Sequence, residues 1–352
     1  MTGRLSELAA YAGVSEATVS RVLNDKPGVA KGTRQAVLTA VDVLGYERPS
    51  KLRRNSAGLV GLITPELTNP FFPLMAQTLE THLAAAGYTP VLCTQTPGGV
   101  HEDEYVQMLL DRGVAGIIFV SGYHADTKAG IERYTRLRDQ RLPIVLVNGF
   151  REGIEAHFIS HDDFTSMQMA VQHLRDMGHT RIGFATGPAR YVPVQRRIEG
   201  FRAAMADLAT PTEIDGLIQT TLFSVEGGVT AARYLLDKGF TGVVCGSDLM
   251  ALGVVRAARQ HGLRVPEDLS VIGSDDFPLV GFTDPPLTTI RQDVPGMAEA
   301  AVTALLEEIA GEHVEHREYR FAPELILRRS TAQVPGAASA AARRSAGLTQ
   351  TS

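Results

Sequence analysis

From residue 59 onward the chain alternates between short runs rich in Val, Ile and Phe and longer segments with helical period, and nothing else constrains its fold as much. LVGLIT, TPVLCT, GIIFVS, PIVLVN, HFIS, RIGFATG, GVVCGS and LSVIGS read as buried strands. Between them, FFPLMAQTLETHLAAAG, EYVQMLLDRG, SMQMAVQHLRDMG, RRIEGFRAAMADL, EGGVTAARYLLDKG and LMALGVVRAARQHG read as helices. Gly87, Gly113, Gly178, Gly239 and Gly262 fall where helices stop with a left-handed residue. Repeated strand-helix-strand units predict parallel sheet covered by helices on both faces. There are more units than one sheet comfortably holds, so two α/β lobes are expected, with a seam near residues 150–160. A last helix, GMAEAAVTALLEEIAG, precedes the strand-like YRFAPELILRRS. Residues 332–352, AQVPGAASAAARRSAGLTQTS, lack apolar period and are expected to be a disordered tail. That tail has no leucine heptads to drive tetramer formation.

Charge complicates the choice of partner. The net charge of −5 argues against nucleic acid when taken over the whole chain. Residues 1–58, however, carry nine Lys/Arg against five Asp/Glu, a balance of +4, while the rest carries 25 against 34, or −9. A small basic module on a larger acidic body is the natural reading. No run approaches about 20 apolar residues, and MTGRLSELAAYAG lacks the apolar segment and cleavage site of a signal peptide, so a cytoplasmic, nucleoid-associated protein is expected. Cys93 and Cys245 each end an apolar run far from the other, which reads as two small buried residues rather than a disulfide or thiolate metal cage.

The first sixty residues predict three short helices. LSELAAYAG supplies Leu5, Leu8 and Ala9 and stops at Gly13; SEATVSRVLND starts at Ser15, whose hydroxyl suits an N-cap; Thr33 to Leu44 forms a third, ending at Gly45. Two helices joined by so short a Gly-containing turn make a helix-turn-helix. Val19, Val22 and Leu23 share one face, which leaves Glu16, Ala17, Thr18, Ser20 and Arg21 outward, as on a helix that reads the major groove.

The string LSELAAYAGVSEATVSRVLN, followed by PGVAKGTRQAVLTAVDVLGY, resembles the headpiece of the lactose-repressor (LacI/GalR) family of bacterial transcription regulators, without a gap through AGVS-x-x-TVSRVLN. The resemblance implies a helix-turn-helix headpiece over 1–46, a hinge over 47–58, and a two-lobed, periplasmic-binding-protein-like effector and dimerisation domain of doubly wound parallel sheets over 59–331. It also implies that Glu16, Ala17 and Arg21 read bases, that Ser15, Thr18, Ser20 and Asn24 approach phosphates, and that Leu5 and Thr33 complete the headpiece contacts. Arg21 can bond bidentately to guanine, and short hydroxyls suit phosphate oxygens. In the hinge ERPSKLRRNSAG, Arg48, Lys51, Arg53 and Arg54 cluster. The family inserts a hinge leucine into the minor groove; Ser56 stands at that position here, with Leu52 the nearest upstream apolar residue. A flexible basic linker is the other reading of this segment.

Open α/β sheets bind ligands beyond the carboxyl ends of their strands. The polar and aromatic residues there are Asn69, Phe72, Ser121, Asn148, Asp162, Ser247, Asp248 and Asp275. Aromatic faces with a few charges suit a polyhydroxylated or planar ligand. The resemblance, which runs to about Thr331, implies effector-binding roles for Phe71 and Phe72 in NPFF, Asp162 in SHDD, Arg197 in QRRIEGF, Phe223 in TTLFSVEGG and Asp275 in SVIGSDD. Ser247 stands where the family usually has Asn before DLMALG. From the residues alone, Phe71 and Phe72 also fit a core, Arg197 fits a partner for Glu199 or Asp207, and Asp275 fits a loop cap. His157, His161, His173 and His179 read as surface or strand-end residues. His313 and His316 have a metal-ligand spacing, but in an exposed charged stretch they read as no metal site.

No phosphate loop, GxGxxG, GxSxG, HExxH or CxxC is present. The pairs Asp162/Asp163 and Asp275/Asp276 are adjacent in sequence, so their side chains point apart and make poor catalytic dyads. The expected protein is no enzyme and needs no cofactor; a sugar-active enzyme with a fused DNA-binding head is the remote alternative. A bare transport-type binding protein is disfavoured by the head and by the lack of a signal peptide. The resemblance implies a homodimeric repressor on a near-palindromic operator, controlled by a small molecule. Within the family, GYERPSKLRR, VLCTQTPGG and PARYVPVQRRIEGF are most similar to actinobacterial maltose-utilisation repressors, which implies an α-glucoside such as maltose or a maltodextrin. A corepressor-dependent regulator that takes a purine or another effector is the alternative.

Overall fold

The computed structural model describes residues 2–24, 26–46, 57–95, 99–312 and 315–334. The expected hinge residues Arg48, Lys51, Leu52, Arg53, Arg54 and Ser56, together with His313 and residues 335–352, lie outside them. The chain divides into two compact units, Met1–Ala57 and Gly58–Ser352.

The first unit holds α1 (Thr2–Ala12), α2 (Glu16–Leu23) and α3 (Lys31–Val43). Gly13 turns the chain with φ +66°, and Ser15, in extended backbone, accepts the Thr18 N–H at 3.2 Å to cap α2. Val19, Val22 and Leu23 of α2 meet Leu8, Ala9, Val37 and Ala40 in one small core. Helix α3 begins two residues before the expected Thr33, because the Ala30 carbonyl already accepts from Arg34 N at 2.9 Å.

The second unit has two lobes. In chain order the first is β1 (Leu59–Thr64), α4 (Phe71–Ala85), β2 (Thr89–Thr94), α5 (Glu102–Asp111), β3 (Gly116–Val120), α6 (Glu132–Asp139), β4 (Ile144–Val147) and β5 (His157–His161). The second is α7 (Asp163–Asp176), β6 (Ile182–Thr186), α8 (Val192–Met205), α9 (Pro211–Asp215), β7 (Ile218–Thr220), α10 (Val225–Asp237), β8 (Gly242–Cys245), α11 (Asp248–Gln260), β9 (Ser270–Asp275) and β10 (Thr288–Arg291). The chain then returns through α12 (Val294–Ile309) and β11 (Glu318–Phe321) to the first lobe, and ends in β12 (Glu324–Ile326) on the second. The sheets run β11-β5-β4-β3-β1-β2 and β12-β10-β9-β8-β6-β7. Every pairing is parallel except that of β10 with β12.

The seam lies later than 150–160. All five residues of β5 are buried, and the strand pairs with β4 and β11 in the first sheet, so the chain crosses only at Asp162. The body also runs past Thr331: Ala332 N donates to Ser270 Oγ at 3.0 Å, and Val334 N to the Met177 carbonyl at 3.1 Å. The expected tail boundary at 332 is therefore too early by at least three residues.

Each sheet is sandwiched. In the first lobe Met75, Leu79 and Leu83 of α4, spaced by one helical turn, pack with Met297, Ala301 and Leu305 of α12 on one face, while Leu109 and Leu137 cover the other. Burying a side chain of this size contributes roughly 1.5–3 kcal/mol. In the second lobe α10 and α11 cover one face, and α7 and α8 the other. A Cβ at Gly253 of α11 would overlap the Val225 carbonyl of α10, so this glycine lets the two helices meet backbone to backbone. Cys93 and Cys245 are free and buried, and burial pushes both thiols up, away from the reactive thiolate. Among the described residues no helix is long and apolar enough to cross a membrane.

Candidate DNA-reading face and ligand cleft

Helix α2 sorts its residues by face. Glu16, Ala17, Arg21 and Asn24 are exposed and Thr18 and Ser20 half-buried, opposite the buried Val19, Val22 and Leu23. Two of the expected phosphate contacts also have structural work. Ser15 caps the helix, with its hydroxyl 2.9 Å from that of Thr18, and Asn24 closes it by donating Nδ2 to the Ser20 carbonyl at 2.7 Å. Leu5 packs half-buried against the small core, and Thr33 sits half-buried in the first turn of α3. Among the described residues no side chain caps α3, and an uncapped helix start is a favourable setting for an anion.

In the body, both sheets share the strand order of a doubly wound fold, in which the direction of winding reverses between β1 and β3 and again between β6 and β8. Ligand crevices open at such switch points. A cavity of about 490 Å³ opens there between the lobes, lined by Pro65, Ser121 and Gly122 from one side and by Phe223, Gly246 and Ser247 from the other.

The second lobe supplies the charges. Arg197 of α8 is 7 % exposed; its Nε donates to Asp163 Oδ1 at 2.7 Å and its Nη1 to the Gly246 carbonyl at 2.6 Å. Burial works against the cation, but Asp163 and Asp275 outweigh it and keep the guanidinium protonated. Asp275 ends β9 at φ +116° and accepts from Gln292 Nε2 at 2.8 Å. Burial pushes its carboxyl up to about 7, although Arg197 and Gln292 pull the other way. Beneath it, Asp248 is held well above the carboxylate range by burial and by Asp275, while Thr289 Oγ1 (2.6 Å) and Phe277 N (3.1 Å) donate to it. Ser247 caps α11, its Oγ accepting from Met250 N at 3.2 Å. The Phe223 ring packs so close to Gly187 that a Cβ there would overlap it.

The first lobe supplies a mostly neutral wall. Asn69 accepts from Phe71 N at 3.1 Å and starts α4; Phe71 turns into the core at 4 % exposure, while Phe72 meets it edge-on at 5.4 Å. Phe71 is thus a core residue with one edge on the cleft. Ser121 and Asn148 both adopt left-handed backbone, at φ 46° and 66°, and are joined by an Asn148 Nδ2 to Ser121 Oγ bond of 3.2 Å. Such strain concentrates at functional sites. Tyr123 is held by a buried Glu102, which accepts from Tyr123 N (3.0 Å), Tyr134 Oη (2.6 Å) and Gln95 Nε2 (3.2 Å). Burial raises the Glu102 carboxyl, and these donors moderate the rise.

Of the residues expected at the cleft, Phe71, Phe72, Arg197, Phe223, Ser247 and Asp275 line it together. Asp162 does not. It is the N-cap of α7, accepting from Thr165 N at 3.1 Å and Thr165 Oγ1 at 2.8 Å, and its neighbour Asp163 takes the cleft position beside Arg197. Sequence reasoning also missed Tyr123, Asp126, Arg190, Tyr191 and Gln292, all on the lining. Asp126 and Arg190 latch the lobes through an ion pair at 2.8 Å, reinforced by Thr127 N donating to the Arg190 carbonyl at 2.9 Å. Arg190 also stacks over Tyr191, 4.7 Å from the ring centre.

Comparison with known proteins agrees with this geometry. The family described as "Bacterial regulatory proteins, lacI family" matches residues 4–49, and "Periplasmic binding protein-like domain" matches residues 171–331. The chain is 60% identical to the HTH-type transcriptional regulator MalR of Streptomyces coelicolor over 339 residues, covering 96% of this chain and 98% of that one. Among solved structures, a transcriptional regulator CelR-cellobiose complex superposes with TM-score 0.70 at 28% identity, covering 93% of this chain and 99% of the other. The lac repressor dimer bound to operator and the anti-inducer ONPF superposes at 0.67 and 27% identity, covering 92% and 98%. With a helix-turn-helix head ahead of two doubly wound lobes, and a relative this similar over nearly its whole length, the chain belongs to the LacI family of bacterial transcription regulators.

Proposed function

We propose that the chain is a homodimeric repressor that binds a near-palindromic operator in the cytoplasm and releases it when an α-glucoside such as maltose or a maltodextrin enters the cleft. The observation that carries the sugar reading is the composition of the cleft: Phe72, Phe223, Tyr123 and Tyr191 beside the buried Arg197, Asp163 and Asp275. Sugars present apolar ring faces that stack on aromatics, and hydroxyls that both donate and accept. Arg197 Nη2, which makes no hydrogen bond among the described residues, donates to a hydroxyl; Asp275 accepts from another; Ser247 Oγ, already an acceptor at the helix cap, donates its proton. The similarity to the CelR-cellobiose complex supports a disaccharide-sized ligand, and the resemblance to maltose-utilisation repressors supports an α-glucoside.

On the DNA side, Glu16, Ala17 and Arg21 read bases while Ser15, Thr18, Ser20, Asn24 and Thr33 approach phosphates, with Leu5 supporting the head. The exposed face of α2 supports this assignment. Bound sugar shifts operator affinity only by as much as it prefers one state of the dimer over the other.

Isothermal titration of the full chain with maltose, maltotriose, adenine and guanine tests the ligand. Binding of maltose or maltotriose, lost on Phe223→Ala, is expected. Binding of a purine with no heat from either sugar would replace the reading with a purine-dependent corepressor mechanism.

A further inference from the structure

At the end of the first lobe away from the cleft, three side chains from separate parts of the chain converge. His157 opens β5, Glu308 lies in the last turn of α12, and His316 lies in the segment leading into β11. Their ligand atoms all fall within 4.8 Å of one another: His316 Nε2 is 3.1 Å from Glu308 Oε1, and His157 Nε2 is 3.9 Å from the same oxygen. His157 is fully buried, yet among the described residues neither of its ring nitrogens has a hydrogen-bond partner. A buried polar atom left unpaired costs about 1–3 kcal/mol and calls for a partner. Sequence spacing paired His316 with His313, which lies outside the described residues; the fold sets His316 beside His157 and Glu308.

We propose that His157, Glu308 and His316 form a binding site for a divalent transition-metal ion, zinc by its donor set. Two imidazoles and one carboxylate are a zinc-type set, with the fourth position left to water. The 3.1 and 3.9 Å separations to Glu308 bracket the edge of about 3.3 Å expected for a tetrahedron of ligands about 2 Å from the metal. Coordination uses the lone pair of a neutral imidazole, which each of the two rings can offer. Glu308 and His316 are only partly covered, at 16 % and 22 % exposure, which gives the ion a way in. The ion would fasten the return segment to β5 and α12. One cation opposes it: Arg138 of α6 places Nη1 3.3 Å from the His316 ring nitrogens while its Nη2 pairs with Glu155 at 2.9 Å. Half in solvent, Arg138 is free to swing toward Glu155 as a metal enters.

The test dialyses the chelator-stripped full-length protein against zinc and counts bound metal, then repeats the titration with cobalt(II), whose visible absorption reports tetrahedral nitrogen and oxygen ligands. One zinc per chain is expected, together with a cobalt band and a higher thermal midpoint. His316→Ala and Glu308→Gln each weaken uptake at least tenfold, and Arg138→Gln tightens it several-fold. Wild-type protein that takes up no zinc, shows no cobalt band, or loses nothing in His316→Ala and Glu308→Gln overturns the site. The cobalt band on the unmutated chain decides the matter even where a variant fails to fold.

Discussion

In the first unit Glu16, Ala17 and Arg21 stand in solvent above a core of Leu8, Val19, Val22, Leu23 and Val37, whereas in the second Arg197, Asp163 and Asp275 lie inside the molecule, each under a tenth exposed. An exposed reading residue is placed by helix geometry alone. It does not support the fold, and its energy appears only against a base or phosphate. A buried sensing charge is placed by its partners, so it belongs to the stability of the body and to the chemistry of the ligand together. On the proposed roles, the body has built its ligand contacts into its own electrostatics, and the head has kept the two apart.

The sharpest way to break this contrast is Arg197→Met, which leaves Asp163 and Asp275 buried without their cation. Removing one partner of such a group costs about 3–5 kcal/mol, so the urea midpoint of the body should fall steeply and effector binding should vanish. A variant of near wild-type stability would show that Arg197 is not part of the frame.

Asp275 sharpens the same side through pH. Its carboxyl titrates near 7 in the fold, against roughly 4 for an ordinary Asp in an unfolded chain. Between those values the folded protein holds the extra proton. The stability this group contributes is therefore present in full below about pH 4 and is lost as pH rises to about 7. Unfolding free energy should fall more steeply between pH 5 and 7.5 in wild type than in Asp275→Asn; parallel profiles would contradict the assignment.

The smallest effect on the protein itself is expected at Arg21. Arg21→Ala should cost about 1–3 kcal/mol on the cognate operator, relax one base position and leave thermal stability unchanged. An unchanged footprint removes Arg21 from base reading, and a lost fold would erase the difference between the two units.

Periodicity made most of the body legible, because LVGLIT or GIIFV can be buried only as a strand between helices. It failed where an element is very short or buries little. β7 is three residues, Ile218–Thr220, none fully buried; β10, TTIR, is four residues next to Pro-rich chain; and α6, ERYTRLRD, buries only Tyr134 and Leu137. At the cleft, motif-borne residues were legible, and loop residues such as Tyr123, Asp126 and Arg190 were not, since no period places them. The Asp162/Asp163 exchange has a specific cause. Either carboxylate could face the cleft on sequence, and the choice falls to whichever is not needed by Thr165 at the start of α7.

A sugar held by Arg197 in the cleft is proposed to control how tightly the head holds DNA. Operator affinity measured at fixed salt, with and without saturating maltose, for wild type and for Arg197→Met tests it directly. Maltose should weaken wild-type binding roughly 5- to 150-fold, the usual span of such coupling, and leave the variant unmoved. Wild-type affinity that is indifferent to maltose and maltodextrins, or a variant that responds as wild type does, would contradict it.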